Sequence, residues 1–141
     1  MESTLRVLAE LPNLAVIRRF IEKMAMALKV ERDAMDDMIQ AVDESATNII
    51  VHGYRGRSGY IEIEVTQEGN VLVVRLRDQA PHFDPTRAPP PDLTLPLERR
   101  RFGGLGIHLT RRFTDSMTYR ITSEGGNELT LRKKVKGEGN K

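Results

Sequence analysis

The sequence predicts an α+β fold, a two-layer sandwich in which a mainly antiparallel sheet carries helices on one face. Two amphipathic helical stretches follow one another near the N-terminus. Strand-like stretches occur in two consecutive pairs, each joined by a short glycine-containing turn as in a β-hairpin. The resulting order, β-α-α-β-β-loop-α-β-β, lacks the β-α-β alternation that is typical of parallel sheets.

The elements of the first half follow from apolar periodicity. Residues Thr4 to Glu10 alternate enough to predict a short strand. Apolar side chains then recur at helical spacing from Leu14 to Leu28, which predicts the first helix. A second helix is predicted from about Glu31 to Val51, and we expect Gly53 and Gly56 to end it.

The second half is predicted to hold two hairpins separated by a loop and a helix. Strands Tyr60 to Gln67 and Val71 to Arg77 form the first hairpin. A glycine-rich stretch opens a third helix, from Gly103 to about Phe113. Strands Ser116 to Ser123 and Glu128 to Val135 form the second hairpin.

The segment 81–96 contains six of the seven prolines and cannot be an interior helix or a central strand. A structureless loop of this length in a small domain is more often a lid or a binding loop than a plain connector. We expect a single domain over residues 1–136 and a disordered tail at 137–141.

Composition excludes several classes of protein. The 141 residues include no cysteine, which rules out disulfides, thiolate nucleophiles and cysteine-ligated metal sites. No apolar run exceeds five residues and the start does not resemble a secretory signal, so we expect a cytoplasmic protein without membrane contact. A net charge of +2 does not favour direct nucleic-acid binding. Residues 71–141 hold 14 basic against 8 acidic residues, so an anion site there is an open possibility beside a merely solvated surface.

Glu44, Asn48 and His52 form one row on the second helix, because they are spaced by four residues. A carboxylate and an amide one turn apart supply the oxygen ligands that Mg²⁺ prefers, and a carboxylate there suits a general base. The alternative is a polar, solvent-facing side of the helix.

Two further segments suit nucleotide binding. Asp78 ends a strand and opens a loop, where its carboxylate could accept a hydrogen bond from an exocyclic amine such as that of adenine. The segment Phe102 to Ile107 has glycines at the start of a helix, where backbone amides can approach phosphate, and Arg99 to Arg101 come directly before it. The alternatives are a turn-forming aspartate and a flexible glycine entry to a helix. The glycine segment lacks the Lys-Ser/Thr ending of a Walker A loop.

The order of these segments resembles the ATP-binding fold of the GHKL (Bergerat) superfamily, and most closely the bacterial anti-sigma-factor serine kinases. Residues Ala41 to Tyr54 resemble the specific family pattern E-x-x-x-N-x-x-x-H-x-Y. The runs Arg77 to Pro85, Gly103 to Leu109 and Gly125 to Leu129 carry the rest of the resemblance, which covers the whole chain.

The resemblance implies a role for each matching residue. Asn48 would ligate Mg²⁺, and Glu44 would be the base that takes the proton from a serine hydroxyl. Asp78 would bind the adenine amino group, and the loop from about Arg87 to Arg101 would be the lid. Asn127 matches a family threonine near the adenine. The nucleotide-binding set that the resemblance implies also includes Ala80, Phe83, Arg101, Gly103, Gly104, Leu105 and Gly106, of which Gly104 and Gly106 would face the phosphates.

Ala80 departs from the family pattern, which usually has glycine there. Alanine would cost about 1 kcal/mol if this position required a positive φ angle. His82 and His108 are interpreted as structural or surface residues rather than as phospho-acceptors.

The resemblance implies that the protein uses ATP and Mg²⁺ to phosphorylate a serine on a small anti-anti-sigma partner of the STAS type. It further implies a sigma factor as a second partner, and a homodimer is plausible. Two alternatives stay open: a nucleotide- or partner-binding module without phosphoryl transfer, and an ATPase module from a sensor histidine kinase. The last would need a phospho-accepting helix, and neither predicted early helix contains a histidine before His52.

Overall fold

The computed structural model describes residues 3–87 and 110–136. Its strands form one antiparallel sheet in the order β1-β2-β3-β5-β4, with the helices α1 and α2 between β1 and β2 in sequence. This arrangement confirms the predicted α+β class. The elements are β1 (Thr4–Leu8), α1 (Leu14–Ala27), α2 (Arg32–Asn48), β2 (Tyr60–Glu68), β3 (Val71–Asp78), β4 (Ser116–Ile121) and β5 (Asn127–Lys134).

The core lies between the two helices and one face of the sheet. Side chains alternate between the two faces of a strand, so every second residue of β2 and β3 points toward the helices. These residues are apolar and fully buried, as Ile63 and Leu76 are, and they form one cluster with Ile21 of α1 and Met38 of α2. The predicted apolar stripes of both helices are therefore confirmed.

The predicted end of the second helix is wrong in its details. After Asn48 the helix does not stop but widens into a π-helical segment, Ile49–Tyr54, which contains Gly53. The segment ends at Arg55, whose φ of 53° is left-handed, followed by Gly56 with a φ of 85°. Only the second of the two glycines therefore marks the end of the helix.

The other face of the sheet is polar and carries a chain of ion pairs that crosses all five strands. Arg6 of β1 contacts Glu62 of β2 at 3.4 Å, and Arg77 of β3 contacts the same carboxylate at 3.1 Å. Arg77 also contacts Glu128 of β5 at 2.7 Å, and Arg120 of β4 contacts Glu128 at 2.6 Å. We refer to these five residues as the ion chain.

Several predicted features fall outside the described residues. They are most of the proline-rich lid, the arginine and glycine residues that precede the third helix, and the tail at 137–141. Of the third helix, residues 110–113 are described and are helical. Among the described residues, no helix is long and apolar enough to cross a membrane.

Candidate functional site

Asp78 and Asn127 lie opposite each other at one end of the sheet, on the face that carries the helices. Asp78 is the last residue of β3 and Asn127 is the first of β5, and the strand register pairs them directly. The next row toward the middle of the sheet contains Leu76, Leu129 and Tyr119 on the same face. Two sequence-predicted residues that are 49 positions apart are therefore brought together by register alone.

The Asp78 carboxylate is only 6% exposed and is held through one of its oxygens. Oδ1 accepts hydrogen bonds from the Ala80 N–H at 2.9 Å and from the Asn127 amide at 2.8 Å. Within the described part of the chain, Oδ2 has no hydrogen-bond partner. Burial raises the pKa of Asp78 above its ordinary value, and the two hydrogen bonds and nearby His82 only partly offset this. The result is a buried acceptor that retains capacity for a ligand's N–H.

Asn127 is committed to the protein itself. Its amide nitrogen donates to Asp78 and also to the Ala80 carbonyl at 2.9 Å, while its oxygen accepts from the Tyr119 hydroxyl at 2.5 Å. A side-chain amide has two N–H donors and an oxygen with two lone pairs, so these contacts use both donors and one of the two lone pairs. In this arrangement Asn127 orients Asp78 and the loop that follows it.

The site has a cavity of about 370 Å³, a volume within the usual range for small-molecule sites. Its floor is the sheet end just described, and its opposite wall is the end of α2 with the π-helical segment. Apolar side chains supply most of the surface, and a few polar groups converge on it. Lining residues that matter here are Asn48, Ile49, His52, Asp78, Met117 and Leu129.

Asn48 thus lines the same cavity as Asp78. His52 lines it too, and burial and the charge of Arg55 lower the pKa of its imidazole. Glu44 is absent from the described residues that line the cavity. It lies one turn before Asn48, where its Oε1 accepts a hydrogen bond from Gln40 at 3.2 Å. Burial and the adjacent Asp43 raise the pKa of the Glu44 carboxyl.

The loop after β3 forms part of the cavity wall. Ala80, Pro81, His82 and Phe83 all line it, and Phe83 remains 41% exposed. The His82 ring nitrogen Nε2 contacts the Gly125 carbonyl at 2.5 Å, which joins this loop to the β4–β5 turn. This contact agrees with the structural role expected for His82.

Ala80 replaces the family glycine without strain. Positive φ angles among the described non-glycine residues occur at Lys29 and Arg55, so the backbone of Ala80 is in an ordinary region. Its side chain is buried and faces Gly53, where an added Cβ would lie 3.1 Å from that of Ala80. The conformational cost that the sequence suggested therefore does not arise, and Gly53 provides the space.

Residues 110–113 contact two of the elements that line the site. Thr110 is fully buried, and its hydroxyl lies 3.4 Å from that of Ser45 on α2. Arg111 donates to the carbonyls of Pro85 and Thr86 in the loop after β3. Arg101, Gly103, Gly104, Leu105, Gly106 and His108 lie outside the described residues, so their predicted roles stay predictions.

The described residues fit a purine nucleotide. A flat base matches a cavity with apolar walls and one buried carboxylate that can accept from an exocyclic amine. They also fit Mg²⁺, which is usually held by one or two protein oxygens together with substrate phosphates. Asn48 supplies such an oxygen, and no cluster of three or more metal-ligating side chains occurs within residues 3–87 and 110–136.

Sequence reasoning missed the residues that support this site from behind. They are Tyr54, which bonds the Gln79 N–H, Tyr119, which bonds Asn127, and Gly126, which lies against the Asp78 carbonyl. Tyr54 was visible as the last position of the family pattern, but that pattern assigned it no role. The strand register would have been needed to find the others.

Comparison with known proteins agrees with this geometry. Residues 7–133 match the family model described as "Histidine kinase-like ATPase domain". The chain belongs to this family.

Similar proteins include the anti-sigma F factor of Thermoanaerobacter sp. (strain X514), 27% identical over 132 residues that cover 93% of this chain and 92% of that protein. The serine-protein kinase RsbW of Bacillus cereus is 26% identical over 138 residues, covering 95% of this chain and 85% of that protein. These names confirm the resemblance that the sequence indicated.

A solved structure with the same fold is that of the RsbU and RsbW domains of Rv1364c from Mycobacterium tuberculosis. It superimposes with a TM-score of 0.65 at 14% sequence identity and covers 94% of this chain. This chain spans 32% of that longer chain.

Proposed function

We propose that this protein is an ATP-dependent protein serine kinase that acts as an anti-sigma regulatory factor. The observation that carries the proposal is the buried Asp78 carboxylate, held on one oxygen and available on the other, across a cavity from Asn48. The names of the similar proteins, anti-sigma F factor and serine-protein kinase, support both parts of the proposal.

Each described residue then has a defined task. Asp78 accepts a hydrogen bond from the adenine amino group, and the apolar walls exclude water from the base. Asn48 supplies a side-chain oxygen to Mg²⁺, which would neutralise charge on the phosphates during transfer. The lid residues and the glycine segment from Gly103 to Gly106 would contact the phosphates.

The reaction would be an in-line transfer to a serine of a small STAS-type partner. The serine oxygen forms a bond to the γ-phosphorus while the bond between that phosphorus and ADP breaks. The serine proton would pass to the Glu44 carboxylate. The Cα of Glu44 lies about 6 Å along the helix axis from that of Asn48, because the two residues are four positions apart. A sigma factor would be the second partner, and a homodimer belongs to the same proposal.

One observation favours a second candidate, a nucleotide-dependent binding module without phosphoryl transfer. Glu44 does not line the cavity as described, and Gln40 engages its carboxylate. Such a module would still bind nucleotide and a partner protein, but it would leave the partner's serine unmodified.

The experiment that separates the two candidates uses the full chain, γ-labelled ATP and a STAS-type partner that contains the acceptor serine. A kinase labels the wild-type partner and leaves a partner with serine changed to alanine unlabelled. If nucleotide binds but no label is transferred, the binding module is correct. If neither nucleotide binding nor transfer occurs, both candidates are wrong.

A further inference from the structure

Tyr54 ends the π-helical segment and lies directly behind the loop that follows β3. Its side chain is only 4% exposed, and its hydroxyl donates to the Tyr60 carbonyl at 2.7 Å. The same hydroxyl accepts a hydrogen bond from the Gln79 N–H at 2.8 Å. A phenol has one donor hydrogen, so its donor capacity is fully used between β2 and this loop.

Gly59 packs directly against the Tyr54 ring. A Cβ at Gly59 would lie 2.2 Å from the Tyr54 ring, a distance that real Cβ atoms essentially never adopt. Only glycine therefore allows the ring to reach the loop at this point.

The peptide group between Asp78 and Gln79 is held from both sides. Its N–H donates to the Tyr54 hydroxyl, and its carbonyl oxygen packs against Gly126, where an added Cβ would approach it to 2.5 Å. Because a peptide group is planar, fixing its two polar atoms fixes the backbone from which the Asp78 side chain extends.

We infer that Tyr54 is a positioning residue that sets the base selectivity of the cavity by fixing the Asp78–Gln79 peptide. The inference rests on the proposed function, since it assumes that the Asp78 carboxylate receives an exocyclic amine of the base. A shift of the peptide moves that carboxylate relative to the amine. The apolar side chains of Ile49, Met117 and Leu129 lie on other elements and keep their contacts with the rest of the base. Tyr54 therefore acts on selectivity more than on general affinity.

The test compares two probes by titration calorimetry: ADP, and the analogous purine riboside diphosphate that lacks the 6-amino group. The variant is Tyr54→Phe, which keeps the ring and removes the hydroxyl. We expect about tenfold weaker binding of ADP, because the Gln79 N–H loses its hydrogen-bond partner and the peptide that carries Asp78 shifts. Binding of the amine-free analogue should change by less than about twofold, since it makes no bond to Asp78.

A matched control is Tyr60→Phe, which also removes a tyrosine hydroxyl. Tyr60 begins β2, the strand that pairs with β3, and is 53% exposed. The control should leave both dissociation constants unchanged. Gly126→Ala is a second variant that presses on the same peptide from the opposite side, and it keeps the test available if Tyr54→Phe does not fold. It should weaken ADP and spare the analogue in the same way.

The outcomes distinguish a failure of this inference from a failure of the proposed function. Equal weakening of both probes by Tyr54→Phe would show a merely structural role and overturn the inference. Unchanged ADP binding in both variants would overturn it as well, with the proposed function intact. Absence of ADP binding by the wild-type protein would overturn the proposed function and this inference together.

Discussion

Asn48 and Glu44 lie one helical turn apart on α2, yet only Asn48 lines the cavity in the described structure. Removal of each side chain should therefore affect a different step. An amide that holds a cation affects nucleotide binding, whereas a base that accepts a proton affects only the transfer step.

For Asn48→Ala, we expect the Mg²⁺-dependent part of nucleotide binding to disappear. Nucleotide at about 100 times its Kd stabilises the folded wild-type protein by roughly 2.7 kcal/mol. For a domain of this size that raises Tm by several degrees. Thermal unfolding with ADP, with and without Mg²⁺, measures the loss. Gln67→Ala removes a side-chain amide on the distant β2–β3 hairpin and is the control. A full Mg²⁺-dependent shift in Asn48→Ala would contradict the ligand assignment.

For Glu44→Ala, we expect nucleotide binding to persist and phosphoryl transfer to fall by about 10²- to 10⁴-fold, the usual contribution of a general base. The measurement is the rate of partner labelling at saturating ATP. Glu22→Ala, an exposed glutamate on α1, is the matched control. Normal labelling by Glu44→Ala would show that the base lies elsewhere.

The environment of Glu44 also predicts how activity depends on pH. Burial first, and then the negative charge of Asp43, raise its pKa above the ordinary 4.5. A base must be ionised, so activity should fall on the acid side at a pH above that value. Asp43→Asn removes the repulsion and lowers the pKa of Glu44, so the acid-side fall in activity should move to lower pH when the labelling rate is measured against pH. An acid-side fall that stays at the same pH would argue against Glu44 as the titrating group.

At the scale of elements, the site depends on how the π-helical segment meets the loop after β3. The pattern Glu44-x-x-x-Asn48-x-x-x-His52 could be placed on a helix from sequence, because four-residue spacing is a local signal. The widening into a π-helix after Asn48 could not be predicted, because the apolar residues of a single π-helical turn also suit an α-helix. The close approach of Gly53 to Ala80 could not either, because it joins two elements that only the folded chain brings together.

The substitutions Gly53→Ala and Ala80→Gly, made singly and together, test this contact. Alanine is favoured over glycine in a helix by up to about 1 kcal/mol, so Gly53→Ala would stabilise an uncrowded helix. Here the new methyl group would lie 3.1 Å from the Ala80 Cβ, which cancels that gain and displaces the loop that follows Asp78. In the Ala80→Gly background the crowding is absent, and the stabilisation should appear.

A double-mutant cycle in denaturant, with ADP affinity measured in parallel, determines the coupling. We expect an interaction free energy of about 1 kcal/mol between the two positions. ADP affinity should fall in Gly53→Ala and recover in the double variant. Additive effects of the two substitutions would show that the methyl groups do not compete for the same space.

At the scale of the whole molecule, the two faces of the sheet serve different purposes through the same strands. Arg77 and Glu128 pair across β3 and β5 on the polar face, and the next register pair, Asp78 with Asn127, points into the cavity. A slip of one residue would turn every side chain to the opposite face. The ion chain therefore favours the register on which the site depends. Individual strands were predictable from alternation, but the pairing of β3 with β5 was not, because it is non-local.

Glu128 is the central carboxylate of the ion chain and provides the test of this relation. It is only 4% exposed, and it accepts from Arg77 at 2.7 Å and from Arg120 at 2.6 Å. Burial alone would raise its pKa, but the hydrogen bonds and charges of Arg120 and Arg77 outweigh this and lower the pKa below the ordinary 4.5. A group whose folded-state pKa is depressed stabilises the fold above its unfolded pKa and loses that contribution as the pH falls.

We therefore expect Glu128→Gln to lower the free energy of unfolding by about 2 kcal/mol at neutral pH, because two charge-assisted hydrogen bonds are weakened. The difference in unfolding free energy from wild type should shrink as the pH drops below 4.5, because Glu128 of the unfolded chain takes up a proton there before the folded protein does. Urea unfolding between pH 3 and pH 7 measures it, with the exposed Glu68→Gln as control. A difference that stays constant down to pH 3 would mean that the Glu128 charge does not stabilise the fold or the register beneath the site.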